Sequence, residues 1–194
     1  MEQKKRIITV GGKLGSGKSS AAKRIAQVLG WEHFSSGDFL REVARRRGMS
    51  IRELMIAAES DPSIDEEIDA LLRKKGEEGD MLVIDSRLAF HWIPHSFKVF
   101  LEIDPELAAE RMFADLSQNE ERRSSEKAQT AREMLREMEE RHASDRKRYA
   151  RLYNIDHTDH SHFDLVIDTG KREHPLEKVV EMIICEYTKW FQAK

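Results

Sequence analysis

The run Ile7-Ile8-Thr9-Val10-Gly11-Gly12-Lys13-Leu14-Gly15-Ser16-Gly17-Lys18-Ser19-Ser20 decides how the rest of the chain is read. Ile7 to Val10 is a short apolar run of strand type, while Ala22, Ile25, Ala26 and Leu29 recur at helical spacing. Between them, from Gly12, the spacing is G-x-x-x-x-G-K-S. A strand before and a helix after are the setting in which that pattern makes a phosphate-binding loop. Each residue type has a physical reason. Glycines let the backbone curl so that successive N–H groups point inward, and the positive end of the following helix adds to their field. Gly12, Leu14, Gly15, Ser16, Gly17, Lys18, Ser19 and Ser20 would then line the phosphates of ATP. Lys18 would reach the β- and γ-phosphates and the Ser19 hydroxyl would ligate Mg2+.

With 194 residues, 39% of them apolar and 36% charged, the chain suits one globular domain with a sizeable core. Its 33 basic and 36 acidic residues leave a net charge of −3, which supplies no global positive field to collect nucleic acid. Small-molecule partners are expected, and a monomer, with a homodimer left open. Cys185 is the only cysteine, which excludes an intramolecular disulfide and fits a reducing compartment. It stands in the apolar run Val179-Val180-Glu181-Met182-Ile183-Ile184-Cys185 and reads as a buried small hydrophobe rather than a reactive thiol. The opening Met1-Glu2-Gln3-Lys4-Lys5-Arg6 is charged and leads into a strand, and no apolar run approaches a membrane span. A cytoplasmic protein without membrane association is therefore expected.

Along the chain, strands and helices alternate. Gly30 ends the first helix, residues 31–37 read as a second strand and turn, and a helix follows from about Asp38. Gly48 stops it, Ser50 with Glu53 forms a capping box for the next helix, and Asp61-Pro62 opens a third that runs to about Lys75 before Gly76 and Gly79 release it. Met81-Leu82-Val83-Ile84-Asp85 has the continuous apolar character of a strand buried on both faces. Residues 98–103 make a fourth strand, Asp104-Pro105 opens a helix through Met112, residues 163–168 make a fifth strand, and Pro175 opens a terminal helix ending near Phe191. The charge-dense stretch 117–151 reads as a solvated helical arm. Five strands alternating with helices predict an α/β three-layer fold, a parallel sheet with helices on both faces.

Ligands in such sheets bind beyond the carboxyl ends of the strands. That rule gathers the glycine loop, the Ser35-Ser36-Gly37 turn, the Asp85-Ser86-Arg87 turn and Asp168-Thr169 around one crevice. Asp85 is placed to hold Mg2+ with Ser19. Arg41 and Arg87 could clamp a second phosphate bidentately, which suits transfer to an acceptor better than hydrolysis that drives motion. A mobile arginine-bearing arm, best represented by residues 140–148, would close over the phosphates and exclude water. His157, His160 and His162 read as part of a polar loop, because no second ligand pair stands at structural-zinc spacing.

An ordered set of segments runs through nearly the whole chain: the glycine loop; Ser36-Gly37-Asp38-Phe39-Leu40-Arg41; Gly48-Met49-Ser50; Glu59-Ser60-Asp61-Pro62-Ser63-Ile64-Asp65; Arg87-Leu88-Ala89; Glu140-Arg141; Lys147-Arg148-Tyr149; Leu152-Tyr153-Asn154-Ile155-Asp156; and Asp164-Leu165-Val166-Ile167-Asp168-Thr169. This set resembles the cytidylate kinases, most closely their short archaeal-type branch within the nucleoside monophosphate kinases. The resemblance implies strand order 2-3-1-4-5 and a single P-loop kinase domain with its core at 1–35, 80–116 and 157–194. It implies an acceptor-binding insert at 36–79 and a lid at 117–156. It also implies transfer of the γ-phosphoryl of ATP to CMP or dCMP. Ser36 and Arg41 would contact the acceptor, Arg87 its phosphate, and Arg141 with Arg148 the transferring group. The sequence departs from the family pattern in three places. Lys13 stands where proline is usual, Ser86-Arg87 replaces a Gly-Arg turn, and Phe90 takes a glycine position. Phe90-His91-Trp92 either reshapes the acceptor pocket or packs as core. Two other readings stay open from the residues alone: a kinase for another small acceptor, and a nucleotide-binding regulatory module without transfer.

Overall fold

The structure is a computed structural model that describes residues 5–116 and 128–193. Strands β1 (Ile7–Gly12), β2 (Glu32–Ser35), β3 (Leu82–Asp85), β4 (Phe97–Glu102) and β5 (Leu165–Asp168) form one sheet in the order β2-β3-β1-β4-β5. Every pairing is parallel, with Val10 opposite Asp85, Ser35 opposite Asp85, and Gly12 opposite Leu101. The strand order and the alternation with helices agree with the sequence reading. Among the described residues the α-helices are α1 (Lys18–Leu29), α2 (Ser36–Arg46), α3 (Ile51–Ala57), α4 (Ser63–Glu78), α5 (Ala89–Trp92), α6 (Pro105–Leu116), α7 (Ala131–Tyr153) and α8 (Leu176–Ala193).

The two-residue period of β1 splits the core between the two faces of the sheet. Ile8 and Val10 face one way and pack with Ala22 and Ile25 of α1, with Val180 and Ile183 of α8, and with Val99 and Leu101 of β4. Ile7 faces the other way, onto Leu72 of α4, Ala89 of α5 and Ile93. Thr9, the polar member of that face, is buried but satisfied by the Ser96 hydroxyl at 2.9 Å. Among the described residues no helix is long and apolar enough to cross a membrane.

Several boundaries differ from the sequence reading. α2 starts at Ser36, because Ser35 accepts a hydrogen bond from Asp38 N at 3.3 Å and so acts as its N-cap. α4 continues through Gly76 to Glu78, three residues beyond Lys75. Gly76 is not a stop: it is buried where the helix crosses Ile93, whose Cγ1 would lie 2.8 Å from a Cβ there. α6 continues past Met112 to Leu116. The Ser50–Glu53 capping box is present as read.

The charged arm is not wholly solvated: Met134, Met138, Asp145, Arg148 and Tyr149 form a buried stripe on α7. Residues 117–127 of that arm lie outside the described residues. Cys185 is exposed, contrary to expectation. α8 packs through Val179, Val180, Ile183 and Tyr187, and Cys185, two residues after Ile183, points about 200° away from it around the helix.

At the end of β1 the backbone turns with Gly12 at φ +138°, where a Cβ would stand 2.7 Å from Leu101 N and closer still to Leu101 O. Both the dihedral and the clash act on backbone atoms that cannot swing aside. Gly12→Ala is therefore expected to destabilise the fold by about 3 kcal/mol, read as a lowered urea midpoint at unchanged slope.

Candidate active site

The carboxyl ends of β1, β2 and β3 meet the amino end of α1. Gly17 caps α1 in the left-handed region at φ 81°, and the helix has neither a side-chain cap nor an acidic residue in its first turn. Its leading amides are thus open to an anion, and the helix field favours one. The preceding loop is tied down on both sides. Lys13 N donates to Leu101 O at 3.0 Å, and Lys13 O accepts from Ser16 Oγ at 2.8 Å and from Lys18 Nζ at 2.5 Å. Thr169, just after β5, donates its hydroxyl to Ser16 O at 3.1 Å. Lys13 pairs with Glu102 at 2.6 Å, so β4 absorbs the charge at the position where proline is the family habit.

Asp85 closes β3 and is buried. Its Oδ2 accepts from Ser19 Oγ and, at 3.1 Å, from Ser35 Oγ. Sequence reasoning paired Asp85 with Ser19 and missed Ser35. The available signal was register, since Ser35 ends β2 directly opposite Asp85. Ser36 follows as the first, half-buried residue of α2. Arg41 is one turn further, ion-paired with Asp38, its guanidinium folded to 3.8 Å from where a Cβ on Gly37 would sit.

The other arginines collect around α7. Arg87, with its side chain 16% exposed, lies 3.3 Å from Asp145 Oδ2, and Arg148 Nη2 donates to Asp145 Oδ1 at 2.9 Å. Burial pushes the Asp145 carboxyl up, but Arg87, Arg141 and Arg148 outweigh it and hold it below the usual carboxylate range. Arg141 also acts on Lys18. Crowding by protein around the Lys18 ammonium, then the positive charge of Arg87, bring its pKa down to about 7, with Asp85 opposing. Lys18, Asp85, Arg87, Arg141 and Asp145 therefore share one electrostatic neighbourhood. Beside it a cavity of about 500 Å³ lies between the loop, α3, α6 and α7. Leu14, Met55, Met112, Met134 and Met138 line its apolar side, Arg141 and Asp145 its charged side.

Phe90 packs as core, with half-buried Trp92 against it and His91 half-buried beside them. Phe90 is 6% exposed, clusters with Leu88 and Tyr149, and stacks on His162 at 5.1 Å. Trp92 Nε1 donates to Asp69 Oδ1 at 2.8 Å. The three histidines of the 157–162 loop go to three different partners: His157 packs edge-on to Tyr149, His160 meets Glu102 at 2.8 Å, and His162 lies on Phe90.

A glycine loop at the carboxyl edge of a parallel sheet, with a lysine, a hydroxyl–carboxylate pair and clustered arginines, defines a phosphotransferase of the P-loop class. The chain belongs to the cytidylate kinase-like family, whose model matches residues 7–171. It is 37% identical over 171 residues to a cytidylate kinase of Methanopyrus kandleri, covering 85% of each chain. It is also 39% identical over 168 residues to a cytidylate kinase of Haloarcula marismortui, covering 85% of this chain and 81% of that one. In fold it matches a shikimate kinase from Bacteroides thetaiotaomicron with a TM-score of 0.62 at 16% identity, over 92% of this chain and 96% of that one. The family and the P-loop kinase fold make this protein a nucleotide-binding kinase of the nucleoside monophosphate class.

The depressed Lys18 has a measurable consequence. Phosphates bound at α1 would favour its charged form and raise its pKa, so above pH 7 nucleotide binding takes up a proton, and well below pH 7 it does not. Titration calorimetry at pH 8 in buffers of different ionisation enthalpy should show uptake of about one proton per nucleotide triphosphate, and Lys18→Met should abolish it.

Proposed function

We propose that the protein transfers the γ-phosphoryl group of ATP to CMP or dCMP. The observation that carries this reading is the meeting, at one edge of the sheet, of an uncapped helix terminus with two groups. These are the Asp85–Ser19 pair and the arginines gathered on Asp145. The relatives at 37% and 39% identity, both cytidylate kinases, favour cytidine nucleotides as acceptors.

In this reading Gly12, Leu14, Gly15, Ser16, Gly17, Lys18, Ser19 and Ser20 cradle the donor phosphates. Phosphoryl transfer asks the protein mainly to align donor and acceptor and to balance moving charge. Lys18, Arg141 and Arg148 do the balancing at the transferring group. Ser36 and Arg41 hold the acceptor nucleotide, and Arg87 holds its phosphate. Ser19 and Asp85 offer only hard oxygen donors, which fits Mg2+, and they would hold it. When bound, the ion supplies charge neutralisation between the donor phosphates. Residues 36–79 serve as the acceptor-binding insert and 117–156 as the lid, on a core of 1–35, 80–116 and 157–194. The lid would exclude water that competes with the acceptor. α7 meets the 36–79 segment directly: Arg151 Nη2 donates to Glu59 O at 2.9 Å, and Ser144 donates to the Glu59 carboxylate.

The deciding experiment measures ADP formation from Mg-ATP with CMP, dCMP, UMP, AMP, GMP or no acceptor. Strong stimulation by CMP or dCMP is the expected result; stimulation by a different acceptor overturns the cytidine assignment while leaving the kinase class intact. With the acceptor identified, Arg41→Ala should raise the acceptor KM about tenfold or more and change the ATP KM less than about twofold. Equal effects on both would mean that Arg41 does not hold the acceptor.

A further inference from the structure

α4 carries two carboxylates one turn apart on its buried face, Asp65 at 6% and Asp69 at 2% exposure. Removing a carboxylate from water is costly unless a partner answers it, and here both are answered from α7. Asp65 Oδ2 lies 2.9 Å from Arg148 Nε. The Tyr153 hydroxyl donates to Asp69 Oδ2, while Trp92 holds the other oxygen. Arg148 has its side chain only 2% exposed and is ion-paired with carboxylates from two segments: Asp65 of α4 near Nε, and Asp145 of its own helix at Nη2. Its Nε and Nη1 are buried without a hydrogen-bond partner, as is Asp65 Oδ2, so Asp65 holds Arg148 by charge at 2.9 Å while Asp145 holds it by a directed hydrogen bond.

Adhesion between α4 and α7 does not require this arrangement. A buried ion pair adds little net stability over well-packed apolar side chains of the same volume. What a carboxylate 2.9 Å from Nε supplies and an apolar contact cannot is a negative charge on a second side of the guanidinium, which draws it to one place. Asp145 alone leaves the guanidinium free to turn about that single contact. A hydrogen bond to Asp145 and the charge of Asp65 on a second side together fix its position.

We infer that Asp65 is a positioning residue for the phosphoryl-transfer site: from α4 its charge fixes where the Arg148 guanidinium on α7 lies. Placement of Arg148 then depends on segment 36–79 being docked against α7, so the two segments prepare the site together. Asp69, bonded to Tyr153 one turn beyond Arg148, anchors the same helix without touching that guanidinium. This inference rests on the transfer role proposed above for Arg148.

The test is a double-variant cycle on steady-state kinetics with Mg-ATP and the acceptor that the panel identifies. Asp65→Asn in the wild-type background should lower kcat about 30-fold, with both KM values changed less than about threefold, the pattern of a misplaced group that acts in the transition state. In the Arg148→Ala background the same change should lower kcat less than about twofold, because nothing remains to be positioned. Thermal melting accompanies each variant. If Asp65→Asn does not yield folded protein, Asp65→Glu takes its place in the cycle; it keeps the charge but displaces it by one methylene, and a loss of about fivefold that again vanishes without Arg148 is expected. If Arg148→Ala lowers kcat and Asp65→Asn then lowers it again by a similar factor, Asp65 does not act through Arg148 and the inference fails while the role of Arg148 stands. If Arg148→Ala leaves kcat unchanged, the role of Arg148 itself fails and takes the inference with it.

Discussion

The rest of the structure depends on how closely the backbone after β1 passes its neighbours. Gly12 lies against Leu101, and Gly15, at φ +72°, lies against Ala108 with 2.9 Å between a would-be Cβ and the Ala108 carbonyl. Only residues without a side chain pass through those two points. The close passage delivers the chain to α1 through the left-handed Gly17, so the helix begins without a side-chain cap and its amides stay available. Lys13 O, accepting from both Ser16 and Lys18, then holds the curl from inside, while Thr169 holds Ser16 O from the end of β5.

Charge is the second organising quantity, and here opposing effects are closely matched. Lys18 is depressed by crowding and by Arg87, and Asp145 is kept ionised in a buried place by three arginines. Asp65 shows the balance tipping the other way. Although Arg148 is 2.9 Å distant, burial together with the like charges of Asp69 and Asp145 pushes its carboxyl up to about 6. A bound polyphosphate would relieve the surplus of positive charge around Lys18, so a site with this composition is tuned to anions.

Much of the fold was legible because its signals are local. The apolar runs of β1 and β3, the capping residues Ser50 and Glu53, and the loop spacing from Gly12 each act within a few residues, where sequence and conformation are tightly linked. The pieces that went astray share a different origin. Gly76 looked like a helix stop, but packing against Ile93 asks for a residue without a side chain at that point of a continuing helix. Cys185 followed apolar neighbours into an assumed core, although the packed stripe of α8 turned it outward. The arm at 131–153 looked solvated because its apolar residues are few; its burial is completed by Asp145, Arg148 and Tyr149, which hydropathy reads as surface.

The sequence by itself determined the strand–loop–helix proposed to hold phosphate, the parallel architecture around it, and the presence of Lys18, Ser19 and Asp85 at that edge of the sheet. Those follow from spacing and from the fixed geometry of strands and helices. Only the tertiary structure decided that Ser35 joins Asp85, that Phe90 and Trp92 serve the core, and that Asp65 and Asp69 meet Arg148 and Tyr153. The partners in these contacts stand from 23 to 84 positions apart in the chain. A buried charge is tolerable only where its partner is delivered by a separate element, and that delivery is a property of packing.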